Sequence, residues 1–99
     1  MKQHHYKVTV ERVLDAEGNA VNEEPLIFDM PSREKISDIL AHFEENPQDF
    51  DKETIIRFVV GLRLVGEVLL ENRKHPFFSQ LEPHFREIMH TVKGKKKQE

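Results

Sequence analysis

Residues 51–75 read DKETIIRFVVGLRLVGEVLLENRKH, and this stretch decides the fold. Asp51 is a favourable N-cap, because its carboxylate can accept a hydrogen bond from an amide of the first helical turn. Behind it, apolar residues cover most of the helical circumference and leave a narrow polar stripe of Arg57, Arg63, Glu67 and Glu71. The pattern predicts a long helix over about residues 52 to 73, which must be covered on more than one side.

Upstream of this helix, two short segments alternate between apolar and polar residues, which is typical of half-buried strands. Turn-forming residues around Gly18 and Asn19 connect the two segments. We therefore expect an antiparallel hairpin with one apolar face. The residues predicted to share that face are Tyr6, Val8, Val10, Leu26, Phe28 and Met30.

Two more helices are predicted, one before the long helix in the sequence and one after it. Ser32 is the expected N-cap of the first, and Asn46-Pro47 ends it. Pro76 can occupy the first position of the last helix, where no N–H is needed. Pro83 disfavours helical geometry at the residue before it, so a break is expected there. Gly94 is a natural helix end.

These elements predict an α+β fold of the order ββααα, in which a two-stranded antiparallel hairpin precedes three helices, or four if the last one breaks at Pro83. Residues 1–94 are expected to form a single domain. Residues 95–99, with three lysines, are expected to form a disordered basic tail.

The composition limits the classes of function. The 99 residues include no Cys, which excludes disulfide scaffolds, cysteine zinc sites and thiol nucleophiles. Residues 1–50 carry 5 basic and 11 acidic residues, and residues 51–92 carry 6 of each. An acidic body disfavours nucleic-acid binding, because phosphate contacts supply most of the non-specific affinity. Neither a signal peptide nor a membrane span is predicted, so we expect a cytoplasmic protein without membrane contact.

Catalytic and metal-binding patterns are not evident in the sequence. The six histidines show no HExxH spacing, and no serine stands in a GxSxG motif. The pairs Glu23-Glu24 and Glu44-Glu45 are adjacent in sequence, so their side chains point apart. We therefore predict no catalytic, cofactor-binding or metal-binding residue, no cofactor, and a protein that is not an enzyme.

Three segments carry a resemblance to a known family: HYKVTVE at residues 5–11, LIF at 26–28 and above all GLRLVGEVLLENRKHPFF at 61–78. Over residues 4–94 the chain is similar to a small bacterial family catalogued only as a domain of unknown function, family 3861. The resemblance implies a compact bacterial α+β protein and brings no activity, cofactor or partner. That family tends to carry an Asn-His-Asp-Asp run after its second strand, whereas this chain has Met-Pro-Ser-Arg at residues 30–33. A role of a histidine or of paired acids at that place is therefore not carried over.

Two functional hypotheses remain. The first is a homodimeric interaction or regulatory module, because the predicted elements offer more apolar surface than they can cover. Gly61 and Gly66 are unfavourable inside a helix, so we expect each to face a closely packed neighbour. The candidate interface consists of Phe58, Gly61, Leu62, Val65, Gly66 and Leu69.

The second hypothesis is an anion-binding or small-molecule-binding protein, or an accessory enzyme subunit, that uses the basic turn at residues 72–76. The candidate ligand-binding residues are Asn72, Arg73, Lys74 and His75. The structural alternative is that these basic residues only complement the negative end of the helix dipole.

Overall fold

The computed structural model describes residues 2–45 and 50–94, and the chain divides into two units, Met1–Phe50 and Asp51–Glu99. Each unit is described by itself. The observed order is the predicted ββααα α+β arrangement. The predicted end of the first helix at Asn46-Pro47 and the predicted tail at residues 95–99 lie outside the described residues. The elements are β1 (His4–Val10), β2 (Leu26–Ser32), α1 (Ile36–Glu45), α2 (Lys52–Glu71) and α3 (Pro76–Gly94).

The first unit contains the hairpin, whose predicted apolar face is confirmed by the strand register. Tyr6 pairs with Met30, Val8 with Phe28 and Val10 with Leu26 in an antiparallel ladder. Because side chains of directly paired residues lie on the same side of a sheet, these six residues share one face. Met30 is buried at one end of this face, whereas Val10 and Leu26 are exposed at the other end.

The loop between the strands is closed by its own hydrogen bonds. The Asp15 carboxylate accepts from the backbone N–H groups of Asn19 at 2.8 Å and Glu17 at 3.0 Å. The amide of Asn19 is the main cause that lowers the pKa of Asp15. Gly18 has a φ of +90°, a conformation that favours glycine. Val21 also donates to the Val13 carbonyl at 3.0 Å, and the Arg12 guanidinium donates to the Glu23 carboxylate at 3.0 Å just outside the loop.

The prediction that Ser32 caps α1 is wrong. Ser32 is the last residue of β2 and is fully buried, and its hydroxyl donates to the Glu34 carbonyl at 2.7 Å. Helix α1 begins four residues later, at Ile36, whose N–H donates to the Tyr6 hydroxyl at 2.8 Å. The Tyr6 hydroxyl on β1 therefore accepts the hydrogen bond from the first turn of α1 that the sequence analysis assigned to Ser32.

In the second unit, α2 begins as predicted. The Asp51 carboxylate accepts from the Thr54 N–H at 2.9 Å. Hydrogen bonds from Thr54, from its side chain first and its backbone second, lower the pKa of Asp51. At the other end, Asn72 is the C-cap, and its side-chain amide donates to the Val68 carbonyl at 2.7 Å.

The break expected at Pro83 is absent. Helix α3 runs from Pro76 to Gly94 with Pro83 inside it. Proline removes the hydrogen bond to the residue 79 carbonyl and restricts Glu82, but it does not forbid helical geometry there. The apolar stripe continues in register on both sides of Pro83, since Phe78, Phe85 and Met89 all lie on one side of the helix at half-buried positions. Packing along this stripe favours one continuous helix.

The two glycines of α2 differ in their surroundings. A β-carbon on Gly66 would lie 3.2 Å from Cζ of Phe85 on α3, so the prediction of a packed neighbour is confirmed at this position. A β-carbon on Gly61 would meet no described atom of its own chain within 4 Å, so no neighbour within the chain accounts for this glycine. Gly66 permits the approach of α3, whereas Gly61 has open space beside it.

The predicted polar stripe of α2 is only partly solvated. Arg57 and Glu71 are exposed, as expected for a stripe facing water, but Glu67 is buried and Arg63 is half-buried. The Arg63 guanidinium donates to the Glu67 carboxylate at 3.2 Å, one helical turn away. Nε of Arg63 is buried and has no hydrogen-bond partner among the described residues.

Candidate functional site

The exposed side of α2 carries a row of apolar and small residues at alternating spacings of three and four. We call Phe58, Gly61, Val65 and Val68 the α2 row. Phe58 is 44% exposed, Val65 is 48% exposed and Val68 is 41% exposed. A spacing of three and four residues keeps side chains on one side of a helix. The row lies away from the side on which Val59 is buried and Gly66 faces Phe85.

The candidate interface residues of the sequence differ in exposure. Phe58, Gly61 and Val65 belong to the α2 row and are exposed. Leu69 is buried, and Gly66 packs against Phe85 within the same unit. Leu62 is half-buried. Val68 was not predicted, although its distance of three residues from Val65 continues the same spacing in the sequence.

The candidate anion-binding turn joins α2 to α3 and is held by backbone hydrogen bonds. His75 donates its N–H to the Asn72 carbonyl at 3.0 Å, and Ser79 donates its N–H to the His75 carbonyl at 2.8 Å. Nδ1 of His75 accepts from the Phe77 N–H at 3.1 Å. His75 therefore caps α3, and it occupies one of the amides that could otherwise bind an anion.

Arg73 is the residue of this turn that lines a surface depression with polar side chains of α3. It lines a shallow depression of about 350 Å³ together with Ser79, Glu82 and Arg86. Ser79, Glu82 and Arg86 lie on one side of α3, because they are separated by three and four residues. Asn72, Lys74 and His75 are not among the lining residues. One of the four predicted residues thus lines the same depression as a second arginine, Arg86, which sequence reasoning missed because 13 positions separate the two.

The charges in this depression are partly compensated. The Arg86 guanidinium donates to the Glu82 carboxylate one turn away. This hydrogen bond is the main cause that raises the pKa of Arg86. Arg86 is therefore already paired, and an anion entering the depression would compete with Glu82 for it.

Metal sites and membrane-spanning helices were sought in the part of the chain that the structure describes. It contains no group of three or more His, Cys, Asp or Glu residues that could hold a metal ion. His5 and Asp29 form an exposed pair across the hairpin, with 3.1 Å between Nδ1 and the carboxylate. None of the described helices is long and apolar enough to cross a membrane.

A family model for a domain of unknown function, DUF3861, matches residues 4–94. The chain belongs to this family. The match spans nearly the whole chain, including the hairpin and all three helices, and it confirms the resemblance carried by residues 61–78. The family description adds no activity, cofactor or partner.

A solved structure is similar to this DUF3861 chain over nearly its whole length. The crystal structure of a protein of unknown function from Pectobacterium atrosepticum, at 2.20 Å resolution, is similar with a TM-score of 0.76 and 28% sequence identity. The similarity covers 94% of this chain and 99% of that one. No curated protein matches the chain at a significant level.

Proposed function

We propose that this DUF3861 protein is a non-enzymatic interaction module that forms homodimers through the α2 row. The observation that carries the proposal is the exposure of Val65 and Val68 on one side of a 20-residue helix. Exposed apolar side chains that lie side by side are candidates for an interaction surface, whereas single exposed apolar residues are ordinary. Association would remove this surface from water and gain free energy in proportion to the apolar area buried.

The first test is the mass in solution. Sedimentation velocity at micromolar concentration is expected to give twice the chain mass of 11.7 kDa. Val65→Asp is expected to give a monomer, because it places a charge in the centre of the interface. Ile27→Asp is the matched control, since Ile27 is a 57% exposed apolar residue on β2, and this variant is expected to remain a dimer. A wild-type monomer would contradict the proposal.

A second candidate function is anion binding at the depression that Arg73 and Arg86 both line, and the presence of two arginines in its lining favours it. Phosphate, sulfate and citrate are the probes for a thermal-shift experiment, because a ligand at a hundred times its Kd adds about 2.7 kcal/mol to the native state. Arg73→Ala should abolish the shift, whereas Lys74→Ala should retain it because Lys74 does not line the depression. Absence of any shift in the wild type would exclude this second candidate.

A further inference from the structure

We propose that the outer edge of β1 is a second self-association surface, at which β1 of one copy pairs antiparallel with β1 of another copy around Thr9. Each copy then contributes two strands to a four-stranded sheet, with the two β1 strands in the middle. This inference goes beyond the proposed homodimer, because it concerns the first unit and does not involve the α2 row. The contact is isologous, since both copies contribute the same strand to a two-fold axis.

The hairpin has two outer edges, and no third strand among the described residues covers either of them. An uncovered edge presents unpaired N–H and C=O groups, which favour pairing with another chain. A two-stranded hairpin is also only marginally stable by itself, and further strands stabilise it. Pairing with another strand therefore depends on which edge offers free backbone groups.

The edge of β2 is protected by two prolines. Pro31 pairs with His5, and because proline has no N–H, this pair cannot exchange the two hydrogen bonds of a hydrogen-bonded pair. The alternate pairs, such as Tyr6 with Met30, therefore carry the ladder, and the backbone of Pro31 faces the outer edge. Pro25 lies six residues earlier, immediately before β2, and by the same alternation faces the same edge. Neither proline can donate to a further strand.

The edge of β1 has no such protection. Residues 1–24 contain no proline, and β1 is seven residues long. By the alternation of the ladder, Lys7 and Thr9 direct their backbone N–H and C=O groups to this outer edge. Both residues are exposed. The edge of β1 is therefore the one that can accept another strand.

The sequence around Thr9 is complementary to its own reverse. With Thr9 opposite Thr9 of the second copy, Val8 lies opposite Val10. In the same register Lys7 lies opposite Glu11, once on each side of the axis. Directly paired residues share one face of a sheet, and opposite charges at such positions stabilise it whereas like charges destabilise it. A register centred on Lys7 would set lysine against lysine.

Lys7 and Glu11 are available for this pairing. Both are exposed, and among the described residues neither forms an ion pair within its own chain. Asp29, the residue opposite Lys7 in the hairpin, is paired with His5 at 3.1 Å. A second copy therefore supplies the partner that each of the two charges lacks.

The proposed contact is small, because only residues 7–11 of each copy take part. Contacts of small area are weak and transient. We therefore expect the pairing of β1 in the millimolar range of concentration, above the micromolar range in which the homodimer is tested.

The experiment is sedimentation equilibrium of the Val65→Asp variant, in which the α2 row carries a charge. We expect a monomer at micromolar concentration and a reversible dimer at millimolar concentration. Adding Lys7→Glu or Glu11→Lys should raise the Kd of this dimer about tenfold, because symmetry turns two attractive pairs into two repulsive ones. Adding both should bring the Kd back to within about threefold, since both pairs are restored. Lys35→Glu, the same charge change outside the hairpin, is the control and should leave the Kd unchanged.

Cysteine variants test the edge independently, because the chain contains no cysteine of its own. Thr9 of the two copies forms a hydrogen-bonded pair with about 5.5 Å between Cα atoms, a separation that a disulfide can bridge. Thr9→Cys should therefore form a linked dimer under mild oxidation. Ile27→Cys is the matched control, since Ile27 lies directly opposite Thr9 in the hairpin but on the edge with the prolines, and it should link much more slowly. Equal rates of linkage would overturn the choice of edge.

The outcomes separate this inference from the proposed function. A wild-type monomer at micromolar concentration contradicts the homodimer through the α2 row, and the millimolar measurements are then made on the wild type. A Val65→Asp variant that stays monomeric at millimolar concentration overturns the pairing of β1 and leaves the homodimer in place. A dimer that the double charge variant does not restore overturns the register around Thr9, whereas restoration supports it.

Discussion

Gly66 and Phe85 are in such close approach that a β-carbon on Gly66 would lie 3.2 Å from Cζ and 3.4 Å from Cε2 of the ring. The contact joins α2 to α3 inside the second unit. It explains why a residue with poor helix propensity stands in the middle of the longest helix. The same explanation does not apply to Gly61, five residues earlier, whose β-carbon would meet open space.

The first prediction separates these two glycines. Gly66→Leu should lower the free energy of unfolding by about 1–3 kcal/mol, because the added side chain overpacks the contact with Phe85. Gly61→Ala should not lower it, since alanine is the better helix former and meets no atom of its own chain. Urea denaturation followed by circular dichroism measures both. A Gly66→Leu variant as stable as the wild type would show that the Phe85 ring can move aside without cost.

The second prediction concerns the Arg63 and Glu67 pair. Glu67→Ala should lower stability by about 1–3 kcal/mol, because it leaves a half-buried guanidinium without its carboxylate. The double variant Arg63→Met/Glu67→Leu should recover most of the loss, since apolar side chains of similar volume need no partner. Thermal unfolding of the two variants gives the comparison. A double variant less stable than Glu67→Ala would show that the pair contributes favourably beyond compensating its own burial.

The third prediction is a pH dependence from the N-cap of α2. Hydrogen bonds from Thr54 lower the pKa of Asp51 in the folded chain below its ordinary value of 3.8. The cap therefore stabilises α2 fully above pH 3.8, and its contribution is lost as the pH falls through the lowered pKa. Asp51→Asn keeps a neutral cap and should lose less stability on acidification than the wild type.

Asp51→Ala provides the control, because it removes the acceptor at every pH. Asp51→Ala should be less stable than Asp51→Asn at neutral pH. Like Asp51→Asn, it should lose less stability on acidification than the wild type does. Melting temperatures between pH 7 and pH 2 give the comparison. An Asp51→Asn variant that loses stability in acid as steeply as the wild type would count against a role of this carboxylate.

The fourth prediction concerns the hydrogen bond between Tyr6 and Ile36 in the first unit. Tyr6→Phe keeps the ring on the hairpin face and removes only the hydroxyl that accepts from the Ile36 N–H at 2.8 Å. Loss of this acceptor should cost about 1–2 kcal/mol, because the amide is part-buried at a helix N-terminus. Amide hydrogen exchange should show faster exchange at Ile36 and little change at the Thr54 amide, which Asp51 caps. Unchanged exchange at Ile36 would mean that water replaces the hydroxyl without penalty.

The sequence was sufficient for most of the element order, because the signals involved are local. Alternation identified the strand face of Tyr6 and Met30, and the Asp51 cap is three residues from the amide it binds. The errors arose where a distant residue decides the outcome. The start of α1 depends on Tyr6, 30 residues upstream, and Ser32 could not be distinguished from an N-cap by its immediate neighbours.

The candidate sites show the same limit. Periodicity placed Leu69 and Phe58 on one broad apolar side of α2, but only packing within the second unit separates the buried residues from the α2 row. The two arginines of the depression are on different elements, so no local motif joins Arg73 to Arg86. Glu67 looked like a solvent-facing acid because a helical wheel does not show which polar positions another element covers.

The self-contained loop of the hairpin offers a position for labelling. The Asp15 carboxylate accepts from the backbone N–H of Glu17. The side chain of Glu17 is exposed and takes no part in this hydrogen bond. Because the chain has no cysteine, Glu17→Cys would carry a single fluorophore at a defined place without disturbing the hydrogen bonds of the turn. For the proposed homodimer, donor-labelled and acceptor-labelled samples could then be mixed, and the rate at which copies exchange partners would be followed in real time.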